Sequence, residues 1–171
     1  MFEDVVQSEA NPDLSDNPEF AALRAYWDGK RGGRAMPARS DIDPIEMQRF
    51  LGNLFIVEAL TDMADFRYRM VGSNLVPYYG QDTTGWTVSQ VFSKVDPRFV
   101  ELVFSGYRRV LSEAVALRVR GRFIWGEKNF VRYDSIHLPL LNKQGVPGLI
   151  LGMFVGEKSA AAALKDRATE I

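Results

Sequence analysis

The chain has 171 residues, 46% of them hydrophobic and 25% charged, with 21 basic against 22 acidic side chains and a formal charge of -1. That is the size of one domain able to bury ~70% of its unfolded surface in a single core, and the charge balance argues against a protein that works by wrapping nucleic acid. The cysteine count is zero, which excludes disulfide frameworks, thiolate-held zinc or iron–sulfur clusters and thiol catalysis.

The chain starts with the acidic run Met1-Phe2-Glu3-Asp4, unlike a signal peptide, and no apolar run approaches the ~20 residues of a membrane span, so a cytoplasmic protein is expected. Residues 1–16 are polar and aperiodic and read as a flexible lead-in. Three Asx-Pro pairs follow, Asn17-Pro18, Asp43-Pro44 and Asp96-Pro97. In each, the Asx side chain can accept a free backbone N–H while proline loses nothing at the first helical position. The first predicted helix carries Phe20, Leu23 and Trp27 on one face and stops near Gly29; the second runs from Asp43, with Glu46 as a capping-box partner, to Gly52. The third spans Asp96 to Ser112. It places Phe99, Val100, Val103, Phe104, Tyr107, Val110 and Leu111 within an arc of about 140°, with Leu102 alone off the pattern.

Strand signals form two groups. Leu54–Leu60 is an apolar run, followed by a turn at Thr61-Asp62 and by Phe66–Val71. Later, Val115–Arg120 alternates, a turn at Gly126–Asn129 leads to Phe130–Leu141, and Asn142–Gly145 leads to Leu149–Val155. Successive hairpins with helices grouped between them predict an α+β fold on a largely antiparallel sheet.

This layout resembles a PAS domain. Tyr26-Trp27, the run Arg34-x-x-Pro37-x-Arg39-x-Asp41-Ile42-Asp43-Pro44, Phe66–Ser73, Tyr79-Gly80-x-Asp82-x-x-Gly85, His137-Leu138-Pro139-Leu140 and Leu151-Gly152 narrow it. Together they are similar to a PAS-type family of single-domain bacterial proteins, common in alphaproteobacteria. The resemblance spans residues 20–156. It implies a five-stranded antiparallel sheet in spatial order 2-1-5-4-3 with helices over one face. The expected division is a lead-in at 1–16, a helical extension at 17–52, the PAS-like domain at 53–157 and a tail at 158–171. It also implies a small ligand held between that face and the helices, and signalling through protein contacts.

Under the same resemblance Tyr133, Ser135 and His137 point inward from the fourth PAS strand, leaving Ile136, Leu138 and Leu140 outward, in keeping with the two-residue period of a strand. His137 is the single histidine; it reads either as a recognition group titrating near pH 6–7 or as a neutral core histidine. An aromatic set, Tyr78, Tyr79, Trp86, Phe92, Phe104, Tyr107 and Phe154, reads either as an apolar ligand pocket or as core packing. The expected pocket is Tyr79, Trp86, Phe104, Tyr107, Tyr133, Ser135, His137 and Phe154. No catalytic or metal-ligating set is expected. The cofactor is open, with no flavin or haem expected. Gly148, Gly152 and Gly156 read as points of close backbone approach.

Ile136, Leu138, Leu140, Leu149, Leu151, Met153 and Val155 would leave a large apolar patch on the outer face. The first helix is expected to cover it, with Phe20, Leu23, Trp27, Leu138, Leu149 and Leu151 forming the interface and a homodimer sharing it. Arg118, Arg120 and Arg122 fall on one strand and Arg67 and Arg69 on another, on opposite edges of the sheet, so no nucleic-acid stripe is expected. Arg34, Arg39, Asp41 and Asp43 read as a loop network, able to pair among themselves or with Arg67 and Arg69. Few residues follow the last strand, so output is expected through a separate signalling protein. The leading function is a non-catalytic sensory module. A small enzyme or carrier using His137, and a ligand-free adaptor, are the alternatives.

Overall fold

The computed structural model describes residues 7–125 and 129–158; the Gly126–Asn129 turn and the tail beyond 158 fall largely outside them. A six-stranded antiparallel sheet forms the centre: β1 (Gln7–Ala10), β2 (Leu54–Ala59), β3 (Phe66–Val71), β4 (Leu117–Trp125), β5 (Asn129–Leu141) and β6 (Pro147–Lys158). Their order is β1-β4-β5-β6-β2-β3. The expectation of five strands is therefore corrected to six, because β1 pairs with β4 from Gln7↔Arg120 to Ala10↔Leu117. Residues 7–10 belong to the stretch expected as a flexible lead-in. Their polar side chains give no strand signal, but an edge ladder is made by backbone groups that any non-proline residue supplies.

Helices α1 (Pro18–Arg31) and α4 (Pro97–Glu113) lie on opposite faces of the sheet, with short α2 (Val76–Tyr79) and α3 (Val88–Val91) beside α4. Asn17 and Asp96 cap as expected: Asn17 Oδ1 accepts from Phe20 N at 3.1 Å and Asp96 Oδ1 from Arg98 N at 2.9 Å. The third pair does not start an α-helix. Residues 44–50 make three-residue turns instead, Met47 N to Pro44 O at 3.2 Å and Phe50 N to Met47 O at 2.8 Å. Met47 and Phe50 are both buried at that spacing, so a tight turn meets the packing demand. Glu46 does not close a capping box; it accepts from the Tyr26 hydroxyl at 2.8 Å and pairs with Lys30 at 2.7 Å. In the same segment Arg34 pairs with Asp41 at 2.7 Å. Arg67 and Arg69 do not reach it; they bond Gly85 O and Glu58 respectively.

The outer face is covered within one chain. Phe20, Leu23 and Trp27 of α1, with Met36, Ile42, Met47 and Phe50, close over Ile136, Leu138, Leu140, Leu149, Leu151 and Met153. All six residues expected at the interface are in this layer, and Phe20, Leu23, Leu138 and Leu151 are fully buried (0% exposed). These side chains are used in helix-on-sheet packing within one chain. Trp27 adds a directional bond, its indole N–H donating to Pro139 O at 2.8 Å. Pro139 lies past His137, the last β5 residue paired with β4, and the indole occupies its otherwise unpaired carbonyl. Arg118, buried beneath Phe20, donates to both Asp134 oxygens at 3.0 and 2.6 Å and to Asp16 at 2.6 Å, fastening the N-terminal segment to the sheet.

Removing residues 1–30 strips α1 from this face. The truncated chain is expected to bind a hydrophobic dye and to aggregate on size-exclusion chromatography. A truncated chain that stays monomeric, ignores the dye and resists urea as the full chain does would show that the sheet needs no such cover.

Candidate functional site

Between α4 and the inner face of the sheet lies a cavity of about 90 Å3, lined from α4 by Phe99, Leu102, Val103, Gly106 and Tyr107 and from the sheet by Phe55, Tyr68, Val119, Tyr133, Ser135, His137 and Phe154, with Tyr79 and Phe92 closing one side. Space for one water needs ~10–15 Å3, so this is room for several waters or one small molecule. It is below the roughly 300–1,000 Å3 of sites that take drug-sized ligands. Among the described residues no Asp, Glu, Lys or Arg lines it.

Six of the eight expected pocket residues meet here: Tyr79, Tyr107, Tyr133, Ser135, His137 and Phe154. Two do not. Trp86, 39% exposed, lines a shallow depression with Arg67 and Gln90 instead, because the loop from Gly80 folds back on β3 through Tyr68 N to Trp86 O at 2.9 Å. Phe104 is buried on the neighbouring flank of α4, its ring 5.8 Å from Phe66. The sequence reading missed Phe55, Tyr68, Phe99, Leu102, Val103, Gly106 and Val119 and left Phe92 in the wider aromatic set. Phe99 and Val103 already lay on the apolar arc of α4. The alternation of Phe55 with Val57 and of Phe66 with Tyr68 was the signal available for β2 and β3.

Strand glycines make the space usable. A Cβ on Gly152 would stand 2.1 Å from the Phe55 ring, and one on Gly156 2.8 Å from Tyr78; the bare backbone lets both rings lie across β6. The rings then brace one another edge to face, Phe55 on Tyr68 at 6.2 Å, Phe92 on Phe99 at 5.4 Å and Tyr79 on Phe92 at 6.1 Å. Tyr78 stands outside the cavity, donating to Gly156 O at 2.7 Å.

His137 is 7% exposed and sits between two rings, 5.8 Å from Phe55 and 5.5 Å from Tyr107. Its Nδ1 is 3.2 Å from Leu117 O. A carbonyl only accepts, so Nδ1 carries the proton and Nε2 presents a lone pair. Burial pushes the imidazole down to about 4, opposed by that backbone bond. The alternative of a group titrating near pH 6–7 is thus corrected: His137 is neutral there. Burial likewise raises Tyr79 and Tyr133 to about 12 and Tyr68 and Tyr107 further, so all four stay protonated. The Tyr68 and Tyr79 hydroxyls are 3.3 Å apart, and Ser135 donates to Val119 O at 3.2 Å. The result is a largely apolar chamber, without charged side chains among the described residues, that carries a few hydroxyls and one aromatic base.

A PAS-domain family model matches residues 15–155, and the chain belongs to that family. No curated protein matches by sequence. Among solved structures, the chain is similar to the PAS domain of Bordetella pertussis BvgS at 14% identity and a TM-score of 0.50, covering 75% of this chain and 96% of that one. It is also similar to an RNA-binding light-oxygen-voltage receptor at 11% identity and a TM-score of 0.50; the match covers 91% of this chain but only 39% of the receptor's length. Both likenesses show the fold. Among the described residues no helix is long and apolar enough to cross a membrane.

Because the folded imidazole titrates near 4 and an unfolded one near ~6.5, the unfolded state takes up a proton first as pH falls. Stability from this group is complete above about pH 6.5 and is lost towards pH 4, by roughly 3 kcal/mol. Urea titrations should show the gap between wild type and His137→Gln narrowing or reversing across that window. A gap constant from pH 7 to pH 4 would contradict the buried neutral histidine.

Proposed function

We propose that this PAS-domain protein is a non-catalytic sensory module that binds a small ligand in the cavity under α4 and passes the occupancy on through protein contacts. The observation that carries the reading is the pocket itself: a largely apolar, partly open space between α4 and the sheet, lined also by tyrosines, Ser135 and one imidazole. Folded cores close most voids larger than a water. Enzymatic use of His137 is disfavoured, since no carboxylate among the described residues lines the cavity and Nδ1 is committed to a backbone carbonyl. The recipient of the signal is proposed to be a separate signalling protein.

Native mass spectrometry of the gently purified protein tests this, with a retained small molecule expected in the wild type. Gly106→Leu should abolish retention. A Cβ at Gly106 meets only Leu117 Cδ2 at 3.5 Å, so the added side chain fills the cavity while leucine improves on glycine in a helix. Trp86→Ala, distant from the chamber, should retain the molecule as wild type does. Equal retention by the wild type and Gly106→Leu would exclude this cavity as the site, and an empty wild type after exposure to a metabolite mixture would count against the reading as a whole.

A further inference from the structure

His137 Nε2 narrows what the chamber can hold. The ring is more than nine-tenths buried, lines the cavity, and uses Nδ1 on Leu117 O. No hydrogen bond to Nε2 is found among the described residues. Among the described residues the one side-chain polar atom buried without a partner is Thr83 Oγ1, so Nε2 is open to the cavity, and an occupant that displaces solvent from it must donate a hydrogen bond or leave that acceptor unpaired. We propose that the cavity binds a small neutral hydroxylated ring, of the phenol class, whose O–H donates to His137 Nε2. This rests on the preceding reading of the cavity as a ligand site and names the ligand's chemistry.

Three observations converge on that class. The volume, about 90 Å3, suits an occupant the size of a single ring rather than a fused system. The walls around His137 are aromatic, Phe55 and Tyr107 flanking it and Phe92 and Phe99 opposite, and aromatic edges and faces favour another ring. An anion is disfavoured because no cationic side chain among the described residues lines the space, and burying an unpaired charge is costly. A quaternary ammonium ion could use the aromatic faces, but it has no proton to donate and would leave Nε2 unpaired. A phenol supplies both the ring and the donor.

Calorimetric titration with phenol, anisole, toluene, benzoate and tetramethylammonium separates these outcomes. Phenol should bind at least about tenfold tighter than toluene or anisole, the equivalent of one hydrogen bond, while benzoate and tetramethylammonium should not bind. Anisole keeps the oxygen but lacks the proton, so the phenol–anisole comparison tests the donor in unaltered protein. In His137→Phe, where a ring still fills the space between Phe55 and Tyr107, the phenol-to-toluene ratio should fall to about one with toluene affinity retained. Equal binding of phenol and anisole by wild type, or preference for benzoate or tetramethylammonium, overturns the proposal. If no ring compound binds, the proposal falls too. A different molecule retained in the mass-spectrometric experiment would then leave the cavity standing as a ligand site.

Discussion

Strands β5 and β6 are buried on both sides over residues 135–140 and 148–153, and this requires a layer on each face. Tyr133, Ser135 and His137 point one way; Ile136, Leu138 and Leu140 point the other. The two layers are built differently. On the outer face α1 and the segment after it pack aliphatic and aromatic side chains against a run of leucine, isoleucine and methionine, with Tyr26, Leu51, Met70 and Leu141 half-buried at its margin and Val155, expected on this face, left exposed. On the inner face α4 meets rings that cannot be compressed into one another. The same strands therefore have a closed core on one side and a chamber on the other, separated by one thickness of backbone.

The chamber persists because its walls are aromatic. An aromatic side chain has only two rotatable bonds and a rigid plane, and rings in edge-to-face contact hold one another at fixed separations. Glycines at 152 and 156 let Phe55 and Tyr78 approach the sheet closely, which draws ring volume towards the sheet. Burial also fixes the protonation: the tyrosines stay neutral acids and His137 a neutral base. The imidazole's orientation comes from β4, whose Leu117 carbonyl selects the tautomer. Strand pairing thus determines which hydrogen-bonding atom faces the cavity.

The N-terminal segment has three separate attachments to the sheet. Trp27 contributes both buried area and a bond to a carbonyl that β4 is too short to reach. Arg118 joins Asp134 on the sheet to Asp16 before α1. Strand β1 adds a backbone ladder to the β4 edge, removing from solvent a row of donors and acceptors that would otherwise be open to another chain.

Local chemistry made much of this legible in the sequence. The apolar arc of α4, the Asx-Pro caps at Asn17 and Asp96, the Asn142–Gly145 turn and the alternation along β5 all follow from periods and side-chain geometry that act over a few residues. The PAS resemblance supplied the sheet neighbours and, with them, which side of β5 faces the helices. Tertiary structure decided the rest. No pattern in Gln7–Ala10 marks a strand, because an edge ladder is built from backbone. The Asp43-Pro44 signal fitted a helix start as well as the others, yet Met47 and Phe50 are buried by a tighter turn. Trp86 and Phe104 were aromatic and close in sequence to the pocket, but a loop folding back on β3 and a rotation of some 100° per residue around α4 turn them elsewhere. Phe55 and Tyr68 entered the site only when β2 paired with β6 and set the Phe55 ring over Gly152. Periodicity specifies which residues share a face; only the pairing of distant strands specifies what that face meets.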